Sequence, residues 1–342
     1  ARLGVERNDV VSCQLPNWWE FTVVYLACSR IGAVINPLMH IFRERELGFM
    51  LSFAESKLIV VPERFRDCDH ARMLQALQPD LPNLRHALVI GTDGTGRFDR
   101  MLQEDPGDID VQLRQRRPGP DDVIQLLYTS GTTGEPKGVM HTSNTLMANL
   151  RQHIRIQGFN DTAVTLMRSP MAPQTGFLYR IMNPIMSGSR VVLQDIWNPK
   201  EAVDLIEREG VTYSIGATPF LADLLEAATG RREALRSLRV FVAAGAPIPR
   251  HLVRRAADDF GATICSLWGM SENGPAAFTR PGDPPEKTLE TDGCPVPGME
   301  LQVVDDAGTL CAAGNEGRLL VRGAGMFVGY LKRPELNATT ED

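Results

Sequence analysis

The sequence lacks a long apolar run, a C-x-x-C pair and an excess of positive charge. Its most apolar early stretch, residues 21–28, is far shorter than the about 18 residues that a membrane span needs, so we expect no span. Six scattered cysteines are too sparse for a disulfide framework or a zinc site, which favours a reducing, cytoplasmic location. A formal net charge of −6 argues against the broad cationic surface that nucleic acid binding requires.

Strand-like and helix-like segments alternate along most of the 342 residues, a length that allows about two folding units or one multilobed unit. Asn17 is the expected N-cap of the first helix, with Glu20 completing a capping box. Strands separated by helices predict an α/β fold of two βα subdomains with mostly parallel sheets packed with helices, and ligands beyond the carboxyl ends of the strands. The predicted strands are 10–15, 57–61, 190–193, 240–242 and 262–267, and the predicted helices are 17–31, 69–77, 199–209 and 249–260.

The carboxyl-terminal part of the sequence has a different pattern. Residues 299–304 and 318–321 are typical of antiparallel strands, separated by a turn at 305–308. We therefore predict a βα subdomain at 1–160 ending in a phosphate loop, a second at 161–275, and a small antiparallel β-barrel-like subdomain at 276–342. Because the chain opens at Ala1 and stops in a polar run, we expect a fragment of a longer protein.

A glycine- and hydroxyl-rich segment, YTSGTTGEPKG at 128–138, follows an apolar strand predicted at 122–127. Glycine lets backbone N–H groups approach an anion closely, hydroxyl groups add donors, and lysine supplies positive charge. An ordinary Ser/Thr/Gly turn is the simpler alternative. A Walker loop is excluded because Lys137 lies between Pro136 and Gly138. The candidate phosphate-binding residues are Thr129, Ser130, Gly131, Thr132, Thr133, Gly134 and Lys137.

This segment matches in full the signature loop of the adenylate-forming enzymes, [YF]-T-S-G-[ST]-T-G-x-P-K-G. Four further segments follow in the order of that family: AAGAP at 243–247, WGMSE at 268–272, GCPVPG at 293–298 and GMFVGYLKRPELNATTED at 325–342. From about Gly4 to its last residue, the chain resembles the AMP-binding, adenylate-forming superfamily of acyl-CoA synthetase type. The resemblance implies the fold of an acyl-CoA synthetase N-terminal domain, without the carboxyl-terminal lid domain.

A second group of candidate residues follows the strand predicted at 262–267. An aromatic ring at a strand end can stack on a purine, and Gly269 would leave room for the base, although a core tryptophan is the simpler interpretation of Trp268. The resemblance implies that Trp268 packs on adenine, that Ser271 touches the α-phosphate and that the Glu272 carboxylate holds Mg²⁺. It also implies that the nucleotide contacts Ala244, Gly245, Ala246, Pro247, Gly269 and Met270.

The implied reaction joins a carboxylic acid to ATP, giving acyl-AMP and pyrophosphate, and then transfers the acyl group to the CoA thiol. A carboxylate with a pKa of about 4 is already ionised at neutral pH and needs no general base. Catalysis is then expected from Lys137, Glu272 and Thr129, with ATP, Mg²⁺ and CoA as cofactors or co-substrates. The expected partners are these small molecules and the acid; the oligomeric state is open, with a dimer as one option.

The segment expected to line the acid pocket departs from the family pattern. Ligases of this kind usually carry P-x-x-H-x-x-G, whereas this chain reads PMAPQTG at 170–176, with Pro173 in place of the histidine. An acidic residue typical of amino-acid-activating relatives is absent, which favours a hydrophobic alicyclic or medium-chain acid, as in cyclohexanecarboxylate-type CoA ligases. The expected pocket residues are Pro173, Gln174, Thr175, Gly176 and Ala243.

Other functions stay open at this point: a nucleotide-binding module without turnover, or an adenylation domain with an acceptor other than CoA. Family members carry a ribose-binding aspartate and a lid lysine in segments that residues 1–342 do not include. We therefore expect residues 1–342 alone to bind ATP weakly and to form negligible acyl-CoA. The segment at 323–329 lacks G-x-G-x-x-G spacing, which argues against an NAD enzyme, and His141 is expected to pack rather than to catalyse.

Overall fold

The structure, a computed structural model, describes residues 1–91, 93–94, 96–105, 107–129, 136–246 and 248–340. The chain forms two compact units: unit 1 comprises Ala1–Ser143, Pro170–Pro173 and Phe327–Asp342, and unit 2 comprises Asn144–Ser169 and Gln174–Met326. The predicted boundaries near residues 160 and 275 stay a prediction. No helix among the described residues has both the length and the hydropathy to cross a bilayer.

The strands are β1 Val10–Cys13, β2 Val34–Pro37, β3 Leu58–Pro62, β4 Arg64–Phe65, β5 Cys68–Asp69, β6 His86–Ile90, β7 Val123–Thr129, β8 Lys137–Thr142, β9 Val164–Met167, β10 Arg190–Val192, β11 Tyr213–Gly216, β12 Val240–Ala244, β13 Thr263–Met270, β14 Gly274–Phe278, β15 Cys294–Pro295, β16 Met299–Val304, β17 Arg318–Gly323 and β18 Gly329–Tyr330. The α-helices are α1 Trp19–Ile31, α2 Glu44–Phe53, α3 His70–Leu77, α4 Arg97–Gln103, α5 Asp110–Arg116, α6 Ser143–Gln157, α7 Gln174–Gly176, α8 Asn183–Ser187, α9 Pro199–Glu209, α10 Thr218–Ala227, α11 Arg250–Phe260, α12 Pro285–Glu290 and α13 Pro334–Ala338. Short 3₁₀ turns lie at Gln78–Asp80 and Arg232–Leu235, and a π-helix lies at Phe177–Met182.

Each unit contains a seven-stranded sheet, and the two sheets follow the same plan. The order is β18-β8-β7-β2-β1-β3-β6 in unit 1 and β10-β9-β11-β12-β13-β14-β15 in unit 2. In unit 1 the strands from β7 to β6 are parallel, and β8 and β18 are antiparallel. In unit 2 the strands from β10 to β13 are parallel, and β14 and β15 are antiparallel. The predicted α/β class with mostly parallel sheets packed with helices is confirmed.

The carboxyl-terminal strands are distributed between the units. β16 and β17 form a two-stranded antiparallel sheet, as expected from their sequence pattern. In contrast, β15 joins the sheet of unit 2 and β18 joins the sheet of unit 1. Residues 276–342 therefore contribute to three sheets.

Several of the helices cover the sheets by burying one apolar face, and burial of apolar surface contributes about 25 cal/mol per Å². The α2 and α3 helices pack on β3 in a cluster that includes Leu47, Leu51, Ile59 and Leu74. In unit 2, α9 and α10 contribute to one cluster around Ile206 and Leu224, and α11 contributes to another around Phe241 and Leu252.

The observed helix boundaries show where local sequence signals were sufficient to predict the limits of a helix. The α9 helix spans Pro199–Glu209 as predicted, because Asn198 caps the amides of Lys200 and Glu201 and Gly210 adopts φ +63° at the other end. The prediction that Asn17 is the N-cap of the first helix is wrong. The α1 helix begins at Trp19 with Trp18 as N-cap, and the Asn17 side chain instead accepts a hydrogen bond from the Met171 amide at 3.0 Å.

Candidate active site

The candidate phosphate loop joins the two strands of a β-hairpin in unit 1. Thr129, predicted to follow the strand, is the last residue of β7, and it pairs with Lys137, the first residue of β8. Ser130, Gly131, Thr132, Thr133 and Gly134 lie outside the described residues. The described flanks therefore place Thr129 and Lys137 side by side at the end of the hairpin that carries the loop.

The Lys137 ammonium group lies 5.2 Å from the centroid of the Tyr330 ring on β18. A ring face attracts a cation through its quadrupole, so this contact gives the lysine a defined direction. A Cβ on Gly138 would lie 3.0 Å from Leu126 Cδ1 and 3.2 Å from Leu331 Cβ, so close packing favours a glycine here.

In unit 2, the AAGAP and WGMSE segments lie at one edge of the sheet. The register places Ala244, the last residue of β12, opposite Leu267 on the parallel strand β13, so the turn that follows starts beside Trp268. Gly245 has φ +83°, a left-handed conformation that glycine adopts without strain, and both Gly245 and Ala246 are exposed. Pro247 lies outside the described residues, and Ala243 is buried within β12.

The expectation that the strand ends before Trp268 is wrong, because β13 continues to Met270 and pairs with β14 as a hairpin. A bulge lies between Trp268 and Gly269. A Cβ on Gly269 would overlap the Gly274 carbonyl, so the glycine is required by its own hairpin, and the room it would leave for a base stays a prediction. The Trp268 ring is half-buried and packs against the cluster of Ala276, Phe278, Val296 and Met299.

Ser271 and Glu272 form the turn of this hairpin together with Asn273. The Met270 amide donates to Asn273 Oδ1 at 2.8 Å, and Asn149 Nδ2 of α6 donates to the Asn273 carbonyl at 2.6 Å. The turn that carries the candidate magnesium ligand is thus held from both sides. Asn149 was missed in the sequence because its partner is far away along the chain.

No three His, Cys, Asp or Glu side chains come together as a metal site in the part of the chain that the structure describes. Magnesium is commonly held by one or two carboxylates together with substrate phosphates rather than by a protein cage. A single half-buried carboxylate, Glu272, therefore suits a magnesium ion that arrives with a nucleotide.

The segment predicted to line the acid pocket, residues 173–176, contains the short helix α7. Gln174 and Gly176 are buried in α7, Thr175 is half-buried, and Pro173 is exposed. The π-helix that follows buries mostly apolar side chains, among them Phe177, Leu178, Ile181 and Met182. π-Helical turns are rare and often lie at functional sites.

Arg180 is the exception in this π-helix. Its side chain is buried, and its guanidinium nitrogens have no hydrogen-bond partner among the described residues. Burial lowers the pKa of Arg180 to about 9. A second buried arginine, Arg168, lies 4.4 Å from the Trp197 ring centroid, and its pKa is lowered to about 9 by burial and by the charge of Arg180. Neither arginine belongs to a motif that the sequence shows.

Residues 1–331 match the AMP-binding enzyme family, and the chain belongs to that family. It is 35% identical over 339 residues to the medium-chain fatty-acid–CoA ligase of Escherichia coli K12, covering 99% of this chain and 60% of that protein. It is 34% identical to the salicylyl-CoA synthase / salicylate adenylyltransferase of a Streptomyces species, covering 98% of this chain and 62% of that protein. The chain thus spans about three fifths of the length of these curated relatives.

Solved structures share the fold at lower identity. Apo MatB from Rhodopseudomonas palustris superposes with a TM-score of 0.84 at 23% identity, covering 99% of this chain and 64% of that one. The N-terminal domain of FACL13 from Mycobacterium tuberculosis gives a TM-score of 0.85 at 20% identity, covering 100% of this chain and 82% of that one. These similarities confirm the predicted acyl-CoA synthetase N-terminal fold.

Proposed function

We propose that the protein is an AMP-forming acid–CoA ligase. It adenylates a carboxylic acid with ATP, releasing pyrophosphate, and then forms a thioester with CoA. The observation that supports this most is the position of the two family motifs: each lies on the hairpin where one of the parallel sheets turns antiparallel.

The residues divide the chemistry as follows. Lys137 and the loop amides neutralise the charge of the phosphates and of departing pyrophosphate, while Thr129 and Ser271 add hydroxyl donors. Glu272 would hold Mg²⁺ through its carboxylate, and the ion would supply positive charge that offsets the charge of the phosphates. The acid attacks as a carboxylate, so the protein has to position two anions rather than remove a proton.

The proposed nucleotide residues are the loop positions already named together with Ala244, Gly245, Ala246, Pro247, Trp268, Gly269 and Met270. We place the acid near Pro173, Gln174, Thr175, Gly176 and Ala243, and propose a hydrophobic alicyclic or medium-chain acid. The apolar composition of Phe177–Met182 supports a hydrophobic acid.

A screen of carboxylic acids for ATP-dependent pyrophosphate release tests the proposal in the full-length protein. The panel pairs straight-chain and alicyclic acids with their oxo and dicarboxylic counterparts, and thioester formation is followed by chromatography. Release of AMP and pyrophosphate with a hydrophobic acid is expected. Release of ADP and phosphate would contradict the proposal, and binding of ATP without turnover for any acid would favour a binding module.

Residues 1–342 alone are proposed to bind ATP weakly and to form negligible acyl-CoA. The test compares residues 1–342 with the full-length protein. ATP binding is measured by calorimetry and thioester formation by chromatography. Turnover by residues 1–342 near that of the full-length protein would contradict this part of the proposal.

A further inference from the structure

Asn149, a buried residue of α6, is hydrogen-bonded to one backbone position of unit 2 and lies close to two glycines. Its Nδ2 donates to the Asn273 carbonyl at 2.6 Å. A Cβ added to Gly274 would lie 2.7 Å from the same nitrogen, and a Cβ added to Gly325 would overlap the amide group itself. The amide therefore fills the space between the β13–β14 turn and the segment after β17.

The bond from Asn149 fixes the turn because of what Asn273 does. Asn273 is buried, its side chain accepts from the Met270 amide, and its carbonyl accepts from Asn149. Ser271 and Glu272 lie between these two anchored points. If the Asn149 donor is lost, a buried carbonyl is left without this partner, and the turn is free to move toward another donor.

We propose that Asn149 is a positioning residue for Ser271 and Glu272. It acts through the Asn273 carbonyl, and glycine is required at 325 because the chain there must pass against the Asn149 amide. The inference rests on the proposed adenylation reaction and adds to it a residue that touches neither nucleotide nor acid. Since the geometry of a magnesium ligand has to be right within a fraction of an ångström, loss of Asn149 should act on the use of Mg·ATP and not on the acid.

Two substitutions disturb the same contact from opposite sides. Asn149→Ala removes the amide donor. Gly325→Ala keeps the Asn149 amide but displaces it, because the new methyl group would overlap it. Gly325 does not have a positive φ, so alanine fits its backbone. The three atoms nearest to a Cβ at 325 all belong to the Asn149 amide group, and Asn149→Ala removes all three. Gly282→Ala is the matched control, because a Cβ there meets nothing within 4 Å.

We expect Asn149→Ala and Gly325→Ala each to raise the Mg²⁺ concentration for half-maximal pyrophosphate release, and to lower kcat/KM for ATP, by about tenfold or more. The KM for the acid should change less than twofold, and Gly282→Ala should behave like the wild type. The double variant should be no worse than Asn149→Ala alone. Asn149→Asp, which keeps the shape but cannot donate, should resemble Asn149→Ala.

The double-mutant cycle is also measured in urea unfolding, which needs no activity. Non-additive stability effects together with the altered Mg²⁺ dependence support the proposal. An unchanged Mg²⁺ dependence in folded Asn149→Ala would overturn it, as would additive losses in both readouts. If no acid supports adenylation in the wild type, the proposed function fails instead, and Mg·ATP binding to wild type and variants then decides the role of Asn149.

Discussion

The two hairpins that carry the candidate ATP-binding residues lie at equivalent places in their sheets but are constructed differently. In unit 1, β7 and β8 pair over a long ladder whose irregularity lies between Val123 and Gln125, at the end far from the loop, and their pairing ends at Thr129 and Lys137. In unit 2, β13 and β14 contain a bulge and close through the short turn of Ser271, Glu272 and Asn273.

The difference lies in what orients the functional group. Lys137 is directed by one ring, that of Tyr330, while the turn bearing Glu272 is held by hydrogen bonds inside it and from α6. A phosphate can be met by a mobile cation and backbone amides, whereas a metal ligand needs a fixed oxygen. The comparison predicts that the first hairpin tolerates backbone change better and the second depends on its supports.

The largest expected effect is that of Lys137→Ala. Removal of the cation should lower ATP-dependent pyrophosphate release on the order of 10²–10³-fold, the range seen when one group that stabilises transition-state charge is removed. Fold and melting temperature should change little, since the lysine lies at a strand end. Lys287→Ala on the exposed face of α12 is the control, and unfolding of the Lys137 variant would show that the lysine is structural.

Alanine at Gly269 and at Gly138 compares the two hairpins directly. At Gly269 the new methyl group meets the Gly274 backbone, which cannot move without breaking the bulge, so we expect destabilisation of about 3 kcal/mol or more. At Gly138 it meets the end of the Leu126 side chain, which can shift, and Leu331 Cβ at 3.2 Å, which needs only a small displacement, so about 1 kcal/mol is expected. Urea unfolding of both variants measures the difference, and equal losses would remove this contrast between the hairpins.

Glu272→Gln should raise the Mg²⁺ requirement by roughly tenfold, because an amide is a neutral and poorer ligand for a hard cation. The titration of pyrophosphate release with Mg²⁺ at saturating ATP measures it. Glu286→Gln, on the exposed start of α12, serves as control. An unchanged Mg²⁺ dependence would mean that Glu272 is not the ligand.

The last expected effect concerns pH and the aromatic cluster behind the second hairpin. His153 is buried 5.8 Å from the Phe278 ring of β14, and burial lowers its pKa to about 3. Below pH 6.5 the unfolded chain binds a proton that the folded chain does not, so stability falls by up to about 1.4 kcal/mol per pH unit from this group.

His153→Phe should therefore lose less stability than the wild type between pH 7 and pH 5, as measured by urea unfolding at each pH. His70→Phe provides the counterpart in unit 1, where burial is the main cause that lowers the pKa of His70 to about 4. An identical pH dependence of wild type and His153→Phe would show that the imidazole is not the titrating group.

Local sequence signals predicted much of the fold, whereas the roles of the residues in both motifs stay a prediction. The cap, proline and closing glycine of α9 are contiguous, so that helix was predicted with its observed limits. The end of β13 was not predicted correctly, because its last residues pair with β14, a strand that comes later in the sequence. The start of α1 was also predicted wrongly for a long-range reason. Trp18 takes the N-cap position, and the Asn17 side chain accepts a hydrogen bond from Met171, which is far along the chain.

The supports of the candidate site were beyond sequence reasoning for the same reason. The glycines at 138 and 269 belong to the predicted motifs, and the structure adds for each a packing reason that the sequence does not show. Asn149 and Arg180 lie outside the recognised sequence motifs, and only the folded structure shows the surroundings of their side chains.

The pairing of β18 with β8 has a consequence for synthesis of the protein on the ribosome. The edge of β8 stays open until β18 emerges, about 190 residues later, which at about 5–20 residues per second is roughly 10–40 s. During that interval the nascent chain exposes an unpaired strand edge, which is a template for association with other chains. The ring that faces Lys137 arrives with the same late strand, so the phosphate hairpin is completed only after residues 329–330 have emerged.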